Sequence, residues 1–249
     1  MIDRLLDSMF HWYRLMGGAS EGARALERDG VLAAIVPAAR ERAVMNAVLY
    51  RSPGALAAAY DEVAAAYAEI AAKWTVWVGP GDDEAARFLE SRGHVLDGEP
   101  MAMGRELDGV ERPPEDALAD WTANGDLADA GRLNDRAYPF GTDSFARSVR
   151  TLPDGASHVF LACHAVDPVA CLLMTDHEGN SELDLVAVVP EARGAGLSGK
   201  LLGHALADAA ERGNETTSLI ATRLGYPVYE RAGYRPLGRF TMWERAAAS

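Results

Sequence analysis

Two stretches of this 249-residue chain read as versions of one another. FLESRGHVLDGEPMAMGREL, from Phe88 to Leu107, aligns with VYERAGYRPLGRFTMWERAA, from Val228 to Ala247. Each offers a short helix, a glycine stop, an aromatic or histidine, a turn and a methionine-containing strand. Upstream, NAVLY, SPG and a helix parallel LVAVV, PEARGAG and a helix in order and spacing. A chain that repeats strand–helix–strand units is predicted to hold two copies of one α/β unit. The best linker is DGVERPPEDAL, acidic and carrying Pro113-Pro114, which divides the chain into residues 1–110 and 111–249.

Within that frame the first 73 residues are alanine-rich and mostly helical in pattern. Leu56, Tyr60, Val63, Tyr67 and Ile70 recur at steps of four and three, one apolar helix face. AVMNAVLY (43–50), TVWV (75–78) and MAMGREL read as strands, with a helix over 82–91. In the second half a helix is expected over 126–137, followed by a hairpin of HVFLACHAV and VACLLMTDH turning at Asp167-Pro168. SELDLVAVV, rich in valine, is the next strand; a helix over 197–212, strand TTSLIAT, short helix YPVYERAGY and a last strand GRFTMWER complete the pattern.

The formal charge of −13 argues against nucleic acid or an anionic membrane as partner, since both select basic surfaces. Cys163 and Cys171 have no metal-ligand spacing and read as apolar core residues of a reducing compartment. Asp3, Arg4 and Asp7 break any signal-peptide apolar region, and no run is long enough to span a membrane, so a cytoplasmic protein is expected.

Chemistry concentrates in VPEARGAGLSGKLL, from Val189 to Leu202. Glycines ahead of a helix let backbone N–H groups approach phosphate oxygens. From Gly194 the letters fit G-x-x-x-x-G-K, but Leu201 stands where a hydroxyl should hold magnesium, and the later strand SLIAT has no acidic residue. The nucleotide triphosphatase reading therefore fails. The other reading is a pyrophosphate loop, R-G-x-G, opening a helix at Arg193-Gly194-Ala195-Gly196.

Here the sequence resembles the GNAT superfamily of acyl-CoA-dependent N-acyltransferases. Its central motif, a strand followed by R/Q-x-x-G-x-G/A, is matched by LDLVAVVPEARGAGLS, with Ser198 where a third Gly or Ala is usual. Its second signature, N-x-x-A-x-x-x-Y-E-x-x-G-F, is matched by TRLGYPVYERAGY at Tyr229, Glu230, Gly233 and Tyr234; Thr222 replaces Asn and Gly225 replaces Ala. The resemblance covers about Pro114 to Arg245. It implies two GNAT-like units, the first a degenerate copy whose helix is entered by RSPGALAAAY and which has Leu89 in place of Tyr229. It implies a mixed central β-sheet flanked by helices and splayed at the acetyl-CoA site of the second unit, with pantetheine along Val186, Ala187 and Val188. Arg193, Gly194, Ala195, Gly196, Leu197 and Ser198 would hold the diphosphate, with Thr222 nearby. No metal is required.

Amine attack on a thioester needs an acid for the leaving thiolate, and the resemblance gives that role to Tyr229. Backbone N–H groups around Ala187 or Val188 would polarise the carbonyl. For the base, Glu182 and Asp184 share one strand face by period-two alternation. Burial between Leu183 and Leu185 would raise the Asp184 pKa to a useful value, whereas a solvated strand start would leave both carboxylates ordinary. His158, His164 and His177, on the preceding hairpin, are candidate proton shuttles or merely satisfied histidines. In NDRAYPFGTDSF, Tyr138, Phe140 and Asp143 either line an acceptor pocket or anchor the loop. The expected function is transfer of an acetyl group from acetyl-CoA to a small-molecule amine in a ternary complex. A non-catalytic acyl-CoA-binding module is the alternative, and oligomeric state is left open.

Overall fold

The computed structural model describes residues 1–114, 118, 120–123, 125–138 and 142–247. Its elements build two sheets. The first contains β1 (Arg24–Arg28), β2 (Val31–Ile35), β3 (Ala47–Tyr50), β4 (Trp74–Val78) and β5 (Val95–Gly98). The second contains β6 (Met101–Glu106), β7 (Trp121–Thr122), β8 (His158–His164), β9 (Asp167–His177), β10 (Asn180–Val188), β11 (Thr216–Ala221) and β12 (Arg235–Arg239). The last strand, β13 (Thr241–Arg245), belongs to the first sheet.

Strand order is β1-β2-β3-β4-β13-β5 in one sheet and β12-β6-β11-β10-β9-β8-β7 in the other. β13 is inserted antiparallel between β4 and β5, and β6 likewise between β11 and β12. The repeated segments are thus exchanged: each half of the chain gives one strand to the other half's sheet. The expected cut at residue 110 does not divide the sheets. In each, one parallel pair is bridged by a helix: β3–β4 by α2 (Pro53–Glu69), and β10–β11 by α6 (Leu197–Glu211).

The observed elements correct the sequence reading in three places. The alanine-rich start is not mostly helical: after α1 (Ile2–Met16), β1 and β2 form a hairpin around Asp29-Gly30, with Gly30 at φ +70°. The second-half hairpin turns at Ala165-Val166, not Asp167-Pro168; His164 pairs with Asp167, and Ala165 takes the left-handed φ of 57°. GRFTMWER is two strands, because the chain leaves one sheet at Arg239 and enters the other at Thr241.

One core packs α2 and α3 (Asp83–Ser91) on the first sheet through Tyr60, Tyr67, Trp74 and Leu89. Another packs α6 on the second sheet through Leu201, Leu202, Ala205, Phe160 and Leu219. A third joins the two halves. There α1, α4 (Leu127–Ala137) and α5 (Ser144–Ser148) meet strand residues from both sheets, including Leu32, Leu49, Trp77, Leu173 and Ala187. The junction also holds a buried ion pair, Arg42–Asp135, at 2.6 Å, and Arg42 donates to Asn134 at 2.8 Å. Asp135 accepts further from the N–H groups of Phe145 and Ala146, so its charge is buried but well bonded.

Candidate active site

The site grows from a mismatch in strand length. Parallel pairing of β10 with β11 runs from Asn180↔Thr216 to Leu183↔Leu219 and stops. β10 continues to Val188, accompanied only by β9. Between Leu183 and Leu185 the β9 register shifts, a bulge at Asp184 that coincides with the end of the β11 pairing. The orientation of the exposed edge follows from one bond. Val189 N–H donates to Val169 O at 3.0 Å, so residues 185, 187 and 189 turn their backbone groups to β9. Val186 and Val188 therefore present theirs to the gap left by β11. Ala187, expected to serve there as a backbone partner, faces β9 instead.

Beyond the gap the chain makes a tight turn into α6. Gly194 and Gly196 sit at φ +85° and +73°, in the left-handed region where a Cβ is strained. Gly196 is the N-cap residue, and among the described residues no side chain caps α6. Its first N–H groups therefore stay available to an anion, beside the positive end of the helix dipole. Ala195 is exposed, Ser198 is half-buried in the first turn, and Leu197 packs against the α6 core. The start of α2 differs: Ser52 Oγ accepts from Ala55 N–H and Pro53 has no N–H to give.

Arg193 does not reach outward. Its Nε donates to Val188 O at 3.2 Å and its Nη2 to Ala137 O at 2.9 Å, so it staples the loop to the end of α4. In the R/Q-x-x-G-x-G/A pattern the first position falls on Glu191, which is exposed and ion-paired with Arg136 at 2.6 Å. Thr222 is exposed, and its hydroxyl accepts from Gly225 N–H at 3.2 Å and shapes the entry to α7 (Tyr226–Arg231). An open depression of about 620 Å³ lies at the far end of α6, but Glu106, Asp108, Glu211 and Glu215 line it and repel a diphosphate.

Tyr229 projects from α7 against the α6-side core, its ring edge-on to Tyr234 at 6.0 Å. Burial pushes its phenol up, with the neighbouring Tyr138 adding to the effect, so it keeps its proton at neutral pH. Tyr138, at the end of α4, donates to Val186 O at 3.1 Å. Phe140 lies outside the described residues. Asp143 ion-pairs with Arg147 at 2.9 Å.

Glu182 and Asp184 lie on the opposite, α1-facing side of β10, where both act on the Tyr13 phenol. Neither is solvated. Glu182 Oε2 and both oxygens of Asp184 are buried without a hydrogen-bond partner among the described residues. Burial raises both carboxyls well above their ordinary range, and the Asp184 charge raises Glu182 further. Tyr13 donates to Val44 O and accepts from Trp77 Nε1, both at 2.9 Å, so the first half of the chain forms the wall facing these carboxylates. The sequence reading missed Tyr13 and Trp77, which no local pattern marks. The histidines lie elsewhere: His158 is 3.4 Å from Asp176, His177 stacks on His11, and His164 is exposed.

Among the described residues no group of three or more His, Cys, Asp or Glu could hold a metal, and no helix is long and apolar enough to cross a membrane. Cys171 is buried, its thiol pushed up to about 12.

Residues 181–237 match the acetyltransferase (GNAT) domain family. No curated protein sequence matches the chain. Among solved structures, a GCN5-related N-acetyltransferase from Kribbella flavida superimposes with a TM-score of 0.65 at 18% identity, covering 97% of this chain and 96% of that one. One from Sphaerobacter thermophilus gives 0.60 at 18% identity, over 91% and 82%. A tandem GNAT protein from the clavulanic acid biosynthesis pathway gives 0.55 at 16% identity, over 98% and 96%. At these identities the likeness is one of fold: α/β, with mixed sheets flanked by helices, as in GNAT acetyltransferases.

Proposed function

From a GNAT acetyltransferase domain as premise, we propose that the chain is an N-acetyltransferase that moves an acetyl group from acetyl-CoA to a small-molecule amine. The observation that carries this reading is the strand edge at Val186 and Val188, which β11 leaves open and which leads directly into the uncapped start of α6. An extended amide chain can pair with such an edge, and a diphosphate suits the helix start. Acetyl-CoA has both parts, and it supplies an acetyl group already activated as a thioester. In this reading the first half is a degenerate second GNAT unit: Ser52 and Pro53 occupy the corresponding helix start, and Leu89 replaces the tyrosine.

The chain's titratable groups divide between the two faces of the sheet. Tyr229, on the α6 side, holds a proton for a departing thiolate. Glu182 and Asp184, on the α1 side, have proton affinities raised by burial. Either can take a proton from an ammonium more readily than a solvated carboxylate would. The Val186 and Val188 N–H groups point into the gap and can polarise a carbonyl there.

Calorimetric titration with acetyl-CoA, followed by thiol-release assays over an amine panel, tests the proposal. Saturable binding and amine-dependent release are expected. Tight binding without release from any amine would favour a non-catalytic acyl-CoA-binding module, a reading helped by the hydrogen bonds that already occupy Arg193 and Thr222 within the chain. Absence of binding would remove both.

A further inference from the structure

The open edge of β10 is occupied by the protein itself. Val186 O and Val188 O both point into the gap, and each already has a donor: the Tyr138 hydroxyl at 3.1 Å and Arg193 Nε at 3.2 Å. The two donors differ in how firmly they are held. Arg193 is anchored a second time, on Ala137 O, and belongs to the loop that turns into α6. Tyr138 follows the last turn of α4 and leaves 46% of its surface exposed, unusual for an aromatic of this size. Its single side-chain hydrogen bond among the described residues is the one to Val186.

A phenol in that position excludes any other chain from the same stretch of edge. We propose that Tyr138 is a stopper built into the donor strand. Its hydroxyl holds the place on Val186 O that the donor's amide would take, and the ring swings out when acetyl-CoA binds. The inference rests on the donor-site reading above. It gives Tyr138 a task on the donor strand, distinct from lining an acceptor pocket. The stopper keeps the Val186 carbonyl bonded, and donor binding must break that bond first.

The test compares wild type with Tyr138→Phe, which keeps the ring and removes the hydroxyl. Titration with acetyl-CoA should show the variant binding about three- to ten-fold more tightly, the equivalent of one ordinary hydrogen bond lost from the free state. Thermal unfolding gives a second readout. Without ligand the variant should melt about 2–4 °C lower, and with saturating acetyl-CoA the two proteins should coincide. Equal affinities, or a destabilisation that persists at saturation, would show that Tyr138 keeps its bond in the complex; the stopper would fall while the donor site stood. If neither protein binds acetyl-CoA, the donor-site reading falls and takes the stopper with it.

Discussion

Tyr229 gathers the strongest single-residue argument. The YERAGY pattern points to it in the sequence, and the fold sets it at the helix following β11 with a phenol that resists ionisation. A protonated phenol can serve as an acid but not as a base. Replacing it by Phe should lower kcat by about a hundredfold, within the usual range for one acid, while acetyl-CoA affinity changes less than about threefold. Unchanged turnover would take Tyr229 out of the chemistry. The carboxylates were less legible. Period-two alternation puts Glu182 and Asp184 on one face, but nothing local announces the bulge at Asp184 or the Tyr13–Trp77 wall that buries them. Those features arise from packing between segments distant in sequence.

At the scale of elements, His94 fastens three of them together. Its Nδ1–H donates to Trp243 O in β13, and its Nε2 accepts from the Tyr60 hydroxyl of α2, each at 2.9 Å, just past the end of α3. Tyr60 in turn accepts from Arg245. Both ring nitrogens are committed to the neutral form, and burial lowers the pKa to about 4. Between about 6.5 and 4 the unfolded chain takes up a proton that the folded one refuses. The stabilisation from this residue is therefore complete above about 6.5 and is lost as pH falls, by at most about 1.4 kcal/mol per unit. Denaturant melts from pH 7 to 4 should show a shallower decline for His94→Gln than for wild type; identical slopes would mean that His94 titrates freely.

Other elements were readable to different degrees. The β10–loop–α6 unit declares itself locally, through valines, two glycines and an apolar helix face. The Asp29-Gly30 hairpin carried an ordinary turn signal, hidden by the alanines around it.

At the scale of the molecule, the exchange of β6 and β13 decides how the halves depend on one another. MAMGRE and TMWER resemble one another, so the repeat does not say which sheet each strand joins. Since β13 lies between β4 and β5, and β6 between β11 and β12, neither half owns a complete sheet. Fragments 1–110 and 111–249 should each lack a cooperative melt alone and recover one when mixed, as followed by circular dichroism. A cooperative melt of 111–249 by itself, within a few degrees of the intact chain, would contradict this.

The same interlacing bears on how a cell makes the protein. A ribosome makes Thr241–Arg245 only after every strand of the second sheet, so β4 and β5 wait through all of that synthesis with facing edges unfilled. Chaperone demand and aggregation during synthesis should therefore track the arrival of the final strand rather than the completion of the amino-terminal half.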